Sequence, residues 1–274
     1  MKIAICFSGQ IRTGIQTAPN IKRFIGDLWN SCDFFIHTWD YESTKPFCRS
    51  SINGIPLLPR NDHFISNEKI EKFVSCYSSK SIFVENFESY KEIQPIQINP
   101  IWYSTSESFK IMKKYSNEYG IKYDVVIKIR PDVIFGKNRR LINEINLYKK
   151  DPSILYSDVY TEIRLDDVFW ILNFTNACKM YSVFDYIKDN MTAEKDERQT
   201  VLEFLKCNNI VNSGTFHRRY HYAIYRNESY MFDPNTQFTE CFRNDKLHYG
   251  SLNLTEEEYF KYINREDNLG MKYD

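Results

Sequence analysis

Three short segments of the chain carry side chains whose types and spacing suit chemistry. The first, Ser8-Gly9-Gln10-Ile11-Arg12-Thr13-Gly14, directly follows an apolar run. Glycine lets a backbone approach a ligand closely, and an arginine can grip a phosphate through two parallel hydrogen bonds. The glycine spacing matches neither G-x-G-x-x-G nor the Walker loop, which disfavours a dehydrogenase or a P-loop kinase. The second segment, Ile127-Lys128-Ile129-Arg130-Pro131-Asp132, ends a β-rich run with an acid. A carboxylate there can coordinate a divalent ion that bridges a diphosphate, or accept hydrogen bonds from a ribose or sugar, with Arg130 as a positive partner. The third is Asp166-Asp167, ahead of Val168-Phe169-Trp170-Ile171. Adjacent carboxylates that point in different directions can divide tasks, one binding hydroxyls and the other acting as general base, with Trp170 as a pocket wall. Each segment also has a plainer reading: a strand-to-helix turn with a solvated Arg12, a turn capped by Asp132, and a polar loop before a strand.

Other candidates are weaker. Glu194, Glu197 and Arg198 open a helix, where acids favour the dipole without any catalytic role. His217, His221 and His248 are candidate metal ligands or phosphate contacts; His217 and His221 are four apart, and with Arg218 and Arg219 beside them the cluster reads as either a diphosphate pocket or a solvated surface. Trp39-Asp40 after the second strand reads first as a core Trp with a solvent-facing Asp.

These residues need elements to position them. Residues 2–7 form an apolar, β-compatible run of the buried parallel type. They look superficially like a signal peptide, but the apolar stretch is too short, and a first strand ending in a polar loop is the better reading. Residues 15–30 have helical apolar spacing at Ile21, Phe24, Ile25 and Leu28. Residues 32–38 form a second strand, which completes a right-handed βαβ unit. Residues 41–66 read as a long polar loop. A helix over 68–76 and a strand over 81–87 follow, then a helix over 103–119 stopped by Gly120. The strand over 123–129 is the clearest element, and Pro131 keeps its ladder from continuing. Strands over 153–156 and 168–172, and helices over 176–190, 194–208 and 255–263, complete the chain. Ligands of open α/β sheets bind beyond the carboxyl ends of strands, which is where the first two segments fall.

Composition removes several classes. The chain has 36 basic and 36 acidic residues, so no basic excess points to a nucleic-acid partner. Its 42% hydrophobic content, 16% of the chain being aromatic, excludes intrinsic disorder. No apolar run approaches the ~20 residues of a membrane span. The 7 cysteines include no C-x-x-C pair, which fits reduced thiols in a cytoplasmic protein and argues against structural zinc.

Taken together, the motifs resemble a family of viral and bacterial glycosyltransferase-like proteins. Members carry F-S-G-Q-x-R after the first strand, W-D after the second, a Y-D-x-V-I-x-x-R-P-D strand and a D-D-x-F-W-I-like segment. Here these are Phe7 to Arg12, Trp39-Asp40, Tyr123 to Asp132 and Asp166 to Ile171. The match covers the first two thirds of the chain in order. The resemblance implies an α/β, GT-A-like (Rossmann-like) fold: a mixed, mostly parallel sheet flanked by helices in a single domain over 1–274. A nucleotide-sugar-binding part would span about 1–135 and an acceptor-binding part about 136–274. It implies transfer of a sugar from a nucleotide-diphosphate donor to a hydroxyl of a glycan or glycoconjugate, in the cytoplasm, or in the host cytoplasm for a viral protein. Ser8, Gly9, Gln10, Arg12, Arg130 and Asp132 would bind the donor, and Asp166 and Asp167 would be catalytic. The D-x-D motif of GT-A enzymes is Arg130-x-Asp132 here, with only the second acid present. Asp132 would then hold Mn²⁺ or Mg²⁺, or Arg130 and other cations would neutralise the diphosphate without metal. The alternative is a non-catalytic carbohydrate- or protein-binding module on the same fold.

Overall fold

The computed structural model describes residues 1–44, 61–93, 98–135, 139–157, 160–161, 164–165, 167–192, 197–213 and 222–224. Along the chain these form β1 (Ile3–Ser8), α1 (Gly14–Ile25), β2 (Cys32–Trp39), β3 (Tyr41–Thr44), β4 (Asn61–Phe64), α2 (Asn67–Ser75), β5 (Ser81–Glu85), α3 (Phe87–Ile93) and α4 (Pro100–Tyr119). Then come β6 (Val125–Ile129), β7 (Val133–Phe135), α5 (Leu141–Tyr148), β8 (Ile154–Ser157), β9 (Tyr160–Thr161), β10 (Arg164–Leu165) and β11 (Phe169–Leu172). The last are α6 (Phe174–Met180), α7 (Val183–Asn190), α8 (Glu197–Cys207), β12 (Val211–Ser213) and β13 (Tyr222–Ile224).

Seven strands make one sheet in the order β12-β8-β11-β6-β1-β2-β5. β6, β1, β2 and β5 run parallel, and β11 runs antiparallel to both β6 and β8. The result is the expected α/β class with a mixed, mostly parallel sheet.

Side-chain parity on the pleat assigns the two faces. From β1, Ile3, Ile5 and Phe7 enter one core with α1, α2 and α5 residues such as Ile21, Phe73 and Ile145. Ala4 and Cys6 enter the other, with Phe109 and Met112 of α4 and Phe184 of α7. Helices therefore cover both faces, and every β1 residue is buried. Such two-sided burial explains why most of β1, β2 and β6 is apolar.

Several elements differ from the sequence expectation. The segment 41–66, read as a loop, begins and ends in strands, because Tyr41 pairs with Phe64 and Thr44 with Asn61 in an antiparallel ladder. α4 begins at Pro100, not residue 103: Asn99 Oδ1 accepts from Ile101 N at 3.1 Å, and proline suits the first helical turn. The helix expected over 176–190 is broken into α6 and α7 around Tyr181-Ser182. α5 and β7 were not anticipated. The expected helix over 255–263 lies outside the described residues. Among the described residues, no helix is long and apolar enough to cross a membrane.

Candidate functional site

Topology brings three of the expected segments together. β1 and β6 are parallel neighbours, so the Gly9–Arg12 loop and the Arg130-Pro131-Asp132 turn leave the sheet side by side. β11 is antiparallel to β6, with Phe169 opposite Ile129, so its beginning lies at the same end. Arg130 N accordingly donates to Val168 O at 3.1 Å.

The side chains meet around one carboxylate. Arg130 donates to Asp132 through Nε to Oδ1 and Nη2 to Oδ2, both at 2.9 Å. Arg12 Nη1 adds a third donor to Oδ2 at 3.0 Å. Arg130 Nη1 also reaches Asp167 Oδ2, at 3.3 Å. Asp132 is 1% exposed, whereas the Asp167 side chain is 24% exposed. Burial pushes the Arg12 pKa down and neighbouring Arg130 adds to that, while Asp132 and Glu42 push it up. A guanidinium remains charged throughout the accessible pH range.

The surrounding chain holds this cluster rigidly. Thr17 Oγ1 of α1 donates to Pro131 O at 2.6 Å. Arg12 itself has φ of +45°, a region non-glycine residues seldom adopt. Its N–H is taken by Glu42 Oε1 at 2.5 Å, and the other Glu42 oxygen accepts from Lys69 Nζ at 2.7 Å. Glu42 is fully buried, so the β3–β4 ladder and α2 jointly fix the Arg12 loop. Gly9 has φ of +116°, which favours glycine.

A second buried network stands behind Gly9. Ser104 Oγ accepts from Gly9 N at 2.6 Å and lies 2.8 Å from His37 Nδ1. His37 Nε2 lies 3.2 Å from Glu85 Oε2, and Tyr103 OH donates to Glu85 Oε1 at 2.7 Å. With its proton on Nε2, His37 donates to Glu85 and accepts the Ser104 hydroxyl proton, so each group in the chain has a partner. Ser104 and His37 are fully buried, which makes this a support for the loop and not a nucleophilic site.

The structure sorts the sequence candidates. Gly9, Arg12, Arg130, Asp132 and Asp167 share one end of the sheet, and Gln10 lies in the same loop, partly buried. Ser8 is fully buried and accepts from Thr105 Oγ1 at 3.4 Å, so it belongs to the wall behind the loop. Asp166 lies outside the described residues, as do Glu194, His217, Arg218, Arg219, His221 and His248. Trp170 is not a pocket wall: it is fully buried and stacked with Trp102 at 6.1 Å, on the α4 face. Trp39 is a core residue, and Asp40 caps the start of α3 by accepting from Phe87 N at 2.9 Å. Glu197 accepts from Asn99 N at 2.6 Å, which ties α8 to the start of α4. Glu42, Lys69, His37, Ser104 and Glu85 were missed, because each enters through contacts distant in sequence.

As placed, Asp132 does not fit a divalent cation. Both its oxygens face guanidinium N–H groups, and no cluster of three or more metal-ligating side chains occurs among the described residues. A dication about 5 Å from one guanidinium would be repelled by about 7 kcal/mol at an effective dielectric near 20, and Arg12 and Arg130 both stand there.

No protein-family model and no curated protein matches the sequence. Among solved structures, the chain is similar to a galactosyltransferase, LgtC, in complex with donor and acceptor sugar analogues (13% identity, 78% of this chain and 73% of that chain, TM-score 0.41). It is similar to an active-site mutant of LgtC at 10% identity, with 78% and 72% of the chains covered and a TM-score of 0.42. A glycosyltransferase involved in glycosylation of the major capsid of PBCV-1 is similar at 10% identity, with 96% and 100% covered and a TM-score of 0.38.

Proposed function

We propose that the chain is a glycosyltransferase that moves a sugar from a nucleotide-diphosphate donor to a hydroxyl of a glycan or glycoconjugate. The observation that carries this reading is the convergence of Gly9, Arg12, Arg130, Asp132 and Asp167 at the carboxyl end of parallel strands. Three of the four motifs that resemble glycosyltransferase-like proteins supply these residues; the Trp39-Asp40 motif does not. Residues 1–135 supply the donor part of a single GT-A-like domain, and residues 136–274 supply the acceptor part.

In this reading the Gly9–Arg12 loop approaches the nucleotide and its diphosphate. Arg12 and Arg130 stabilise the negative charge that grows on the leaving diphosphate as the acceptor oxygen attacks the anomeric carbon. The new bond joins that oxygen to the anomeric carbon, the bond to the diphosphate oxygen breaks, and its electron pair leaves with the diphosphate. Asp132 holds both arginines in position. If transfer inverts the anomeric centre, Asp167, or Asp166 beside it in sequence, orients the acceptor hydroxyl and takes its proton; retaining transfer needs no base in that place.

Thermal unfolding with UDP, GDP, CMP and dTDP tests the reading. A ligand at 100 times its Kd adds about 2.7 kcal/mol of stability. One of the four should raise the melting temperature. Stabilisation by free glycans and by none of the nucleotides would replace the enzyme with a carbohydrate-binding module.

A further inference from the structure

We propose that the arginine pair Arg12 and Arg130, clamped on Asp132, does in this chain what a divalent cation does at a D-x-D site, so that the donor diphosphate binds without metal. This inference rests on the donor reading above and adds how the site neutralises its ligand.

Charge bookkeeping at the first motif position supports it. An aspartate with a bound dication contributes a net single positive charge, and so does the guanidinium of Arg130 standing in that place. The second acid is present, but its geometry serves the arginines. Asp132 receives three N–H contacts of 2.9–3.0 Å across its two oxygens, and it is almost fully buried beneath them. Arg12 is not a chance neighbour, since its unusual backbone is held by Glu42 and its side chain is directed onto the same carboxylate. The Nε–Nη2 fork of Arg130 is taken by Asp132, so the charge of both guanidinium groups and the outward N–H of Nη1 are what a phosphate oxygen would meet, a charge-assisted contact in place of metal coordination. The longest contact of the set, Arg130 Nη1 to Asp167 at 3.3 Å, involves the most exposed member. A phosphate oxygen would exchange with that carboxylate, which turns Asp167 over to the acceptor.

The test is calorimetric titration of chelator-stripped protein with UDP, GDP and dTDP, in EDTA and again in Mn²⁺. For any nucleotide that binds, Kd in EDTA should lie within threefold of Kd in Mn²⁺. Arg130→Met should weaken binding at least tenfold in both buffers. Should that variant not fold, Arg130→Lys, which keeps the charge but loses the planar fork, should weaken it at least threefold. Binding more than threefold weaker in EDTA would overturn the inference and leave the donor reading standing. Arginine variants that bind like wild type would overturn it too. Binding of none of the three in either buffer would remove the donor reading and this inference with it.

Discussion

Replacing Asp132 by asparagine should destabilise the protein before it says anything about catalysis. The carboxylate is 1% exposed and pairs with two arginines whose side chains are 11% and 16% exposed. The substituted side chain would keep one acceptor oxygen, lose the negative charge, and offer an amide donor toward guanidinium donors. Breaking a buried charge pair by removing one partner costs about 3–5 kcal/mol, because the remaining charge stays desolvated. Here two like charges remain, and Arg130 already lowers the Arg12 pKa while Asp132 offsets it. At about 2 °C per kcal/mol for a chain of this size, the melting temperature should fall by about 6–10 °C. Differential scanning calorimetry at pH 7 reads this directly. A double-mutant cycle with Arg12→Met should recover part of the loss, with a coupling of about 1–3 kcal/mol. An Asp132→Asn variant that melts within about 1 °C of wild type would refute the claim that Asp132 is held by both arginines. The same arithmetic warns that an inactive Asp132→Ala variant shows loss of catalysis only where its melting curve proves it folded.

Gly9→Ala should cost about 1–3 kcal/mol through backbone strain, since φ is +116°. The nearest side-chain atom would stand 3.4 Å from the new methyl, so no clash contributes, and chemical denaturation should show the loss together with weaker nucleotide binding. Ser104→Ala removes the acceptor of Gly9 N–H and the hydroxyl facing His37, and should cost about 1–3 kcal/mol by the same assay. Stability should also fall above pH 9. Burial, with Asp33 nearby, raises the Cys32 thiol from 9.0 to about 12, and burial, with Asp151 nearby, raises the Tyr148 phenol from 10.0 to about 12. Both groups lose protons first in the unfolded chain, so their stabilisation is complete below pH 9 and is lost as pH climbs to about 12. Melting curves between pH 7 and 11 should show the decline, and Cys32→Val should reduce it.

How much of this was legible in the sequence depended on range. β1, β2 and β6 were readable because burial on both faces keeps them mostly apolar, with Asp33, His37, Thr38 and Lys128 among the buried exceptions, and the residues at their carboxyl ends followed. α4 could have been started correctly, since Asn99-Pro100 is a cap followed by a first-turn proline. The pairing of Asp167 with Arg130 was not readable, because it requires β11 to run antiparallel to β6. Nor was the place of Trp170. The side of the sheet it occupies depends on register, and a shift of one residue would have turned it to the other face. Glu42 looked like an ordinary acid in a polar loop. Only the closure of β3 on β4 and the approach of α2 make it a buried acceptor for the Arg12 backbone.

The Arg-Pro-Asp turn links local sequence to the character of the site. Two acids separated by one residue at a strand end can converge on a single cation. An arginine in the first position instead satisfies the second acid within the turn, as the contacts from Nε and Nη2 to Asp132 do. The intervening proline fixes φ, and its carbonyl is held by Thr17, so the pair is locked before any ligand arrives. Such preorganisation is what electrostatic catalysis requires, since fixed charges need no reorganisation as the leaving group gains charge. The balanced 36 and 36 charges of the whole chain conceal this arrangement. Locally, Arg12 and Arg130 face Asp132 and Asp167 in equal number, and displacing only the partly exposed Asp167 would leave the remaining three groups with a net positive charge directed at the ligand.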